Sequence, residues 1–259
     1  MIMRTRLGAA VAALSCAALL SGCAVDAGAS VAADFEEWMG ERPGLESITL
    51  VSQNSLPFIG AIDASLVMAA DATPEQVDDV VQRAMDFDPG RHAASVSLVR
   101  QIGSAVVSAG LPHEGDPSEV LDLAETLATA ADVTELHVGG PTGPDLAIEA
   151  VVAELAQAPE AFRALNAVLD PVPRVDGLRD DAELRVRDAA GAGSISTEAP
   201  GTQTATHDLA ATVVGEVTVT SMLVTEDIAR FTVPEAQAAK AEALAGRLLP
   251  GGDVRVTGE

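Results

Sequence analysis

Four segments of this chain share a signal for the start of a helix, a proline at the first helical position. Proline is favoured there because its missing N–H would have no partner in the first turn. In two segments Thr73 or Asp116 precedes the proline as an N-cap, and Gln76 or Glu119 completes a capping box. Apolar residues then recur with the spacing of one helix face. These patterns predict helices over 74–87, 117–131, 145–157 with a continuation over 159–169, and 234–248.

Between the helices lie runs that alternate or are rich in β-branched residues, as is typical of strands. In DVRVTG, Val254 and Val256 face one way, whereas Arg255 and Thr257 face the other. Such a strand is half buried. The predicted strands cover 47–52, 60–70, 94–100, 103–109, 134–139, 182–188, 216–224, 227–233 and 253–258.

The order of these elements predicts an α+β fold. From 60 to 139 it is strand, helix, strand, strand, helix, strand, which is the order of a ferredoxin-like split βαβ unit. The second half has two helices, several strands, a helix and a strand, so a second, irregular unit is expected. We therefore predict two ferredoxin-like units in tandem, over 34–140 and 141–259, with the boundary in GGPTGP (139–144). Residues 189–207, rich in Gly, Thr and Ala, are expected to form a flexible loop.

The composition limits both the core and the partners. Of the 259 residues, 48% are hydrophobic, but only 2% are aromatic and none is Tyr. The core must therefore consist of Ala, Val, Leu and Ile, and platforms for stacking sugar rings have few candidates. The net charge of −24 repels phosphates. We expect no nucleic-acid partner, while attraction to cations or to a basic partner stays open.

The first 23 residues carry a targeting pattern. Arg4 and Arg6 precede the uncharged run LGAAVAALSCAALLSG, as in a secretory signal. The run is short for a membrane-spanning helix, which needs about 20 apolar residues. It ends in Leu20-Ser21-Gly22-Cys23, which resembles the lipobox of bacterial lipoproteins. The resemblance implies a diacylglyceryl group on Cys23, cleavage before it, and anchoring at the extracytoplasmic face of the cell membrane. An ordinary secretory signal and an uncleaved helix are the alternatives.

Two expectations follow from this signal peptide over 1–22. Residues 23–33 would be a flexible, lipidated tether, followed by a short helix in DFEEWMG that packs Phe35, Trp38 and Met39 on the first domain. Because Cys16 would be removed and the Cys23 sulfur lipidated, the mature chain would have no disulfide or free thiol. Cysteine nucleophiles and zinc–thiolate sites are thereby excluded.

No motif for catalysis, a cofactor or a metal is found. The four histidines, His92, His113, His137 and His207, do not have metal-ligand spacing, although His137 alternates within a strand beside other side chains. Carboxylate pairs occur at Asp78-Asp79, Asp180-Asp181 and Glu226-Asp227. The charged stretch 174–188 lacks the oxygen ligands of an EF-hand loop. Neither a P-loop nor a G-x-S-x-G elbow is present, so we predict no catalytic, cofactor-binding or metal residue.

The sequence thus indicates where the protein is located, in the cell envelope, more clearly than what it does. Each half ends in a helix and a strand, VTELHV and DVRVTG, and such units loosely resemble the small α+β modules of bacterial envelope proteins, such as BON-type domains. This resemblance is one of element order and implies no residue roles. We expect a lipid-anchored, non-enzymatic envelope protein that binds another protein. The alternatives are a lipoprotein that binds a small solute or cation and, least favoured, an enzyme.

Overall fold

A computed structural model describes residues 26–56, 59–112, 115–139, 146–170 and 182–259. In this part of the chain, six α-helices alternate with the strands of a single sheet. The helices are α1 (Ala27–Met39), α2 (Pro74–Met85), α3 (Pro117–Ala130), α4 (Ala158–Val168), α5 (Ala205–Glu216) and α6 (Glu235–Leu248). A 3-10 turn, Leu155–Gln157, precedes α4.

The sheet has 11 strands, which lie side by side in the order in which they occur along the chain. They are β1 (Leu45–Leu56), β2 (Ile59–Met68), β3 (Ala93–Ile102), β4 (Ala105–Gly110), β5 (Glu135–Val138), β6 (Leu146–Val152), β7 (Ala182–Asp188), β8 (Gly193–Thr197), β9 (Ser221–Val224), β10 (Ile228–Val233) and β11 (Asp253–Gly258).

Two kinds of connection alternate along the sheet. Strands that follow one another directly, such as β1 and β2 or β3 and β4, pair antiparallel. Strands separated by a helix, such as β2 and β3 around α2, pair parallel. The chain therefore repeats one pattern, a helix followed by two antiparallel strands, from α1 to β10, and ends with α6 and the single strand β11.

The helices cover only one face of the sheet. The registers place Leu66, Leu98 and Ala109 on the same face, and the series continues through Val138 and Ile148 to the far strands. These side chains are buried, and they belong to the clusters that contain the buried residues of all six helices. We call the opposite face, on which no described helix packs, the open face.

The core consists of two clusters. The smaller joins α1, α2, β2 and β3, and the larger runs from β4 to β11 beneath α3 to α6. Leu121 of α3 packs against both. The predicted domain boundary falls between β5 and β6, mostly outside the described residues, and the division into two domains stays a prediction.

The proline signals mark the starts of α2 and α3 where the sequence predicts them. Thr73 caps α2 and forms a capping box with Gln76, behind Pro74. Asp116 accepts a hydrogen bond from the Ser118 N–H at the start of α3. The α+β character is confirmed, as are the helices near 74–87, 117–131 and 234–248 and the strands at 182–188 and 253–258.

The helix predicted over 145–157 is wrong. Residues 146–152 form β6, and the helix begins only at Ala158, near the predicted continuation. Leu146 and Val152 fit a helical period, but with Ile148 and Ala150 they also alternate, and all four are buried between β5 and β7. Pairing with two neighbouring strands decided between these two periods.

The flexible loop predicted over 189–207 is also corrected. It contains β8, in which Ile195 and Thr197 are buried, and the first turn of α5. Its small polar residues are typical of a loop, but the Thr206 hydroxyl donates to the Thr225 carbonyl, and His207 helps to cap α5. The strand predicted over 216–224 is shorter, because α5 continues to Glu216 and β9 begins at Ser221.

The remaining fold predictions concern strand pairing and the tether. Two ferredoxin-like units are not confirmed, because β2 pairs directly with β3, whereas a split βαβ unit places another strand between two such parallel strands. Residues 27–33, expected in the tether, form the first turns of α1, whose Val31 is buried. The predicted packing of Phe35 and Met39 is confirmed, because both are buried in the smaller cluster, and Trp38 packs at the edge of that cluster.

Candidate functional site

The open face is the largest uncovered surface feature of the sheet. Because side chains alternate along a strand, each apolar residue under the helices is followed by one that points to the open face. Three large apolar side chains stand exposed there: Val51 at 53%, Val106 at 45% and Leu223 at 39%. Ser65 and Ser97, neighbours on β2 and β3, are linked by their hydroxyls at 3.1 Å.

Charge is unevenly distributed over the open face. On β1 to β4 the registers place a single charged side chain, Asp63, among serines, valines and glutamines. On β5 to β11 both signs occur: Glu135, Glu149, Glu183, Arg185, Arg187, Arg230, Asp253 and Arg255. The candidate site lies where these two regions meet.

A depression of about 310 Å³ lies there, over β4 to β7. We call it the open-face groove. Its apolar side chains on the open face are Val106 and Val151, of which Val151 is only 4% exposed. Its polar lining consists of Ser108, Glu135, His137, Glu149 and Arg187.

Strand register brings these polar residues together. Ser108, His137 and Glu149 are direct neighbours in one row across β4, β5 and β6. In the next row Glu135 stands beside Val151, which stands beside Arg187. The prediction that His137 alternates beside other side chains of a sheet is confirmed.

Two of the polar lining residues, Arg187 and Glu149, form an ion pair and neutralise each other's charge. The Nε–H of Arg187 donates to Oε1 of Glu149, and both side chains remain partly exposed. This hydrogen bond raises the pKa of the Arg187 guanidinium, and the charge of nearby Glu135 acts in the same direction. Arg187 and Glu149 therefore offer little net charge to a ligand.

The other three polar residues have free bonding capacity. Within the described ranges, no hydrogen bond or ion pair engages the side chains of Ser108, Glu135 or His137. Although serine, histidine and glutamate stand in one row, no hydrogen bond links them as a nucleophile and base require. The strand N–H groups around them are paired in the sheet. The groove thus presents three polar side chains with unused hydrogen-bonding atoms within the described ranges.

The buried histidine, His207, has a structural environment instead. It lies in the first turn of α5, is 2% exposed, and its ring centroid is 4.5 Å from that of Phe162. The Thr204 N–H donates to Nδ1, so Nε2 carries the proton and faces the Ser196 carbonyl at 3.3 Å. Burial lowers the pKa of His207 below its ordinary value of 6.5. His207 caps α5 and ties it to β8.

The other residues considered from sequence are dispersed. The His92 Nδ1 accepts from the Gly60 N–H, and Asp79 pairs with Arg42 at 3.4 Å on the surface. Glu226 accepts a hydrogen bond from the Glu198 N–H in a turn. Cys23, His113, Asp180 and Asp181 lie outside the described residues. Across the described ranges, no three His, Cys, Asp or Glu side chains converge as metal ligands would.

A second cavity of about 640 Å³ lies between the end of α5 and α6. Val214, Val217 and Val219 contribute its apolar lining. Lys240 at its edge is 2.8 Å from the Glu216 carboxylate, and this contact lowers the pKa of Glu216. The cavity therefore has a mixed lining, in which the valines stand beside Thr218, Gln237 and the Lys240–Glu216 ion pair.

Sequence reasoning missed most of the groove. Glu135 and Glu149 belong to no motif, and Arg187 stands out only as part of the charged stretch 174–188. Their strand partners are not evident from the chain order. The usable signal was alternation: TELHV, LAIEAVV and AELRVRD each place charged residues between apolar ones. Of the helices in the described segments, none is long and apolar enough to span a membrane.

Comparisons with known proteins give no family for the chain. No family model matches it. Neither the curated proteins nor the solved structures contain a significant match.

Proposed function

We propose that this chain is a lipid-anchored protein of the cell envelope that binds another protein through the open face of its sheet and has no catalytic activity. The observation that carries the proposal is the uncovered face. Five of the ten strand pairs are parallel; all-parallel sheets are normally covered on both faces, whereas antiparallel sheets commonly leave one face to solvent. Within the described residues this mixed sheet leaves one whole face without a helix, and that face is available as a docking surface.

The size of this face supports the proposal. Ten spacings of about 4.8 Å make the sheet about 48 Å wide. A strand of six residues spans about 20 Å, so the open face offers roughly 1,000 Å². A standard protein interface uses about 800 Å² on each partner. The exposed Val106 and Leu223 lie within this area and supply the apolar contacts that an interface centre needs.

The membrane anchor is the second part of the proposal and rests on the sequence. Cys23, in its lipobox-like setting behind the signal peptide, would carry the lipid. It precedes the first described residue, Asp26, by three positions, so the intervening chain spans at most about 11 Å. The folded part would stand directly on the extracytoplasmic side of the membrane, facing partners at that surface. A variant Cys23→Ala should remain unprocessed and unlipidated; processing and membrane retention like wild type would contradict the anchor.

Photo-crosslinking in intact cells tests the docking face. A photoreactive amino acid replaces Val106 or Leu223 on the open face, and Ala243 on exposed α6 is the matched control. We expect protein adducts from the first two positions and none from the third. Equal yields from both sides of the molecule, or adducts from none of the positions, would contradict the proposal.

A second candidate function, small-solute binding, is favoured by the cavity between α5 and α6. Its lining combines valines with Thr218, Gln237 and a neutralised ion pair, which suits an uncharged molecule that has both apolar and polar groups. A ligand that binds only the folded state raises the melting temperature. A thermal-shift screen of solutes with wild type and Val217→Asp should then show a shift that only wild type has. The absence of any shift would remove this candidate.

A further inference from the structure

The open-face groove has an arrangement of acceptors that the docking proposal does not explain by itself. Ser108 offers a hydroxyl, His137 a ring nitrogen and Glu135 a carboxylate, all without partners in the described part of the chain. They occupy adjacent positions on β4 and β5. Three acceptors that approach one space from separate side chains fit a donor with several N–H groups.

The charge of the groove selects a cation. The described lining holds two carboxylates, Glu135 and Glu149, and one cation, Arg187, which bonds Glu149 and lies near Glu135, so the net charge of this lining is negative. The whole chain carries −24, and a field of that sign attracts positive groups and accelerates their arrival. The groove therefore complements a positive side chain locally, and the protein complements a basic partner at long range.

We propose that the open-face groove receives the ammonium group of a lysine side chain from a basic partner protein. This inference rests on the proposed docking function and specifies the partner's chemistry. The ammonium lies among Glu135, Ser108 and His137, and the methylene stem packs along Val106 and Val151, as long charged side chains do on apolar surface.

Lysine fits better than arginine because of the donor geometry. An ammonium is compact and has three N–H donors that rotate to meet separate acceptors, whereas a guanidinium is a rigid planar fork that matches a carboxylate bidentately. Glu149, the other lining carboxylate, already accepts from Arg187. The remaining acceptors are a carboxylate, a hydroxyl and a ring nitrogen on three different side chains, which a compact ammonium can meet together.

The occupant is a different protein rather than a second copy. The chain has one lysine, Lys240. Its Nζ lies 2.8 Å from the Glu216 carboxylate and donates to the Glu216 carbonyl at 2.7 Å. Two copies of charge −24 also repel each other.

Carbodiimide crosslinking of intact cells that contain the full chain tests the contact. The reagent activates the Glu135 carboxyl, and a lysine amine in contact with it displaces the urea, so that an amide forms with net loss of water. Mass spectrometry should find Glu135 joined to a lysine of another protein. In parallel, the photo-crosslink from Leu223 should fall at least about tenfold in Glu135→Gln, since loss of a buried interfacial charge pair costs more than a factor of ten in affinity.

Glu183→Gln is the matched control, because Glu183 is an exposed carboxylate of the same face that does not line the groove. It should leave the Leu223 adduct unchanged. An adduct that persists in Glu135→Gln would overturn the lysine contact and leave the docking function standing. Absence of adducts at both Leu223 and Val106 would remove the docking function too. An amide to Lys240, or to a small free amine, would overturn the proposed occupant.

Discussion

The two faces of the sheet are built from the same strands but differ in what their side chains contact. Under the helices, Leu66, Ile148 and Phe231 are almost fully buried, and helix after helix adds to their packing. On the open face, Val51, Val106 and Leu223 remain exposed among serines and charged residues. One alternating pattern thus produces a core on one side and a surface on the other. The covered face accounts for the stability of the fold, and the open face is available for binding.

Truncating a side chain should change the free energy of unfolding far more on the covered face than on the open face. Phe231→Ala removes a large buried side chain under α6 and should lower the free energy of unfolding by about 3–5 kcal/mol. Val106→Ala, on the open face, should change it by less than about 0.5 kcal/mol. Urea denaturation followed by circular dichroism measures both. Similar losses for the two variants would contradict the one-sided core.

The helix layer can be tested where α1 meets α2. The Arg83 guanidinium lies 3.5 Å from the Trp38 ring centroid and donates to the Trp38 carbonyl at 2.8 Å and 3.0 Å. Arg83→Ala should therefore cost about 1–3 kcal/mol and expose α1 to solvent. Trp38 is the only tryptophan, so its emission should shift to longer wavelength. Arg91→Ala, at an exposed position, is the control, and an unchanged emission in Arg83→Ala would contradict this contact.

Because His207 is buried on the covered face, we expect the free energy of unfolding to depend on pH. Its pKa is lowered in the folded state, so the fold favours the neutral ring. The stabilisation is complete above the unfolded pKa of about 6.5 and decreases as the pH falls below it, by at most about 1.4 kcal/mol per pH unit.

Denaturation of wild type and His207→Gln from pH 7.5 to 4.5 checks this prediction. The difference between their unfolding free energies should shrink as the pH falls through the unfolded pKa. Val106→Ala, which replaces a non-titrating side chain on the open face, serves as the control and should leave the shape of the wild-type pH profile intact. A constant difference for His207→Gln over the whole range would show that the ring is not held neutral.

The smallest change in the free energy of unfolding is expected for the Glu149–Arg187 ion pair in the groove. Glu149 and Arg187 are both partly exposed, and such pairs couple by less than about 1 kcal/mol. A double-mutant cycle with Glu149→Ala and Arg187→Ala should give a coupling energy in that range that decreases in 1 M salt. A coupling of several kcal/mol would indicate that this part of the open face is buried.

The sequence predicts well those elements whose signals are local. Thr73 and Asp116 identified the starts of α2 and α3 because capping depends on residues a few positions away. The start of helix α5 is not predicted, because its capping box is completed by His207 instead of the usual glutamate or glutamine. Strand β6 was misread because helical and alternating periods coincide in LAIEAVV, and its strand neighbours decided the outcome.

The candidate site depends on pairing over longer distances, which local patterns do not contain. His137 was correctly expected to stand beside other side chains in a strand. Its neighbour Glu149 is 12 residues away along the chain, and Arg187 is 38 residues beyond Glu149. His137, Glu149 and Arg187 come together because β5, β6 and β7 lie side by side in chain order. The order of elements in the sequence favours a ferredoxin-like pairing, in which these strands would not be neighbours in this way.

Cysteine accessibility at the two faces tests the central claim most directly. Val106→Cys and Leu223→Cys on the open face, and Ala243→Cys on α6, are labelled with a maleimide in intact cells and in the purified protein, and peptide mass spectrometry reports each site. All three sites should react in the purified protein. In cells, the two open-face sites should be protected and the α6 site should still react. Equal labelling of the three sites in cells would contradict a partner on the open face.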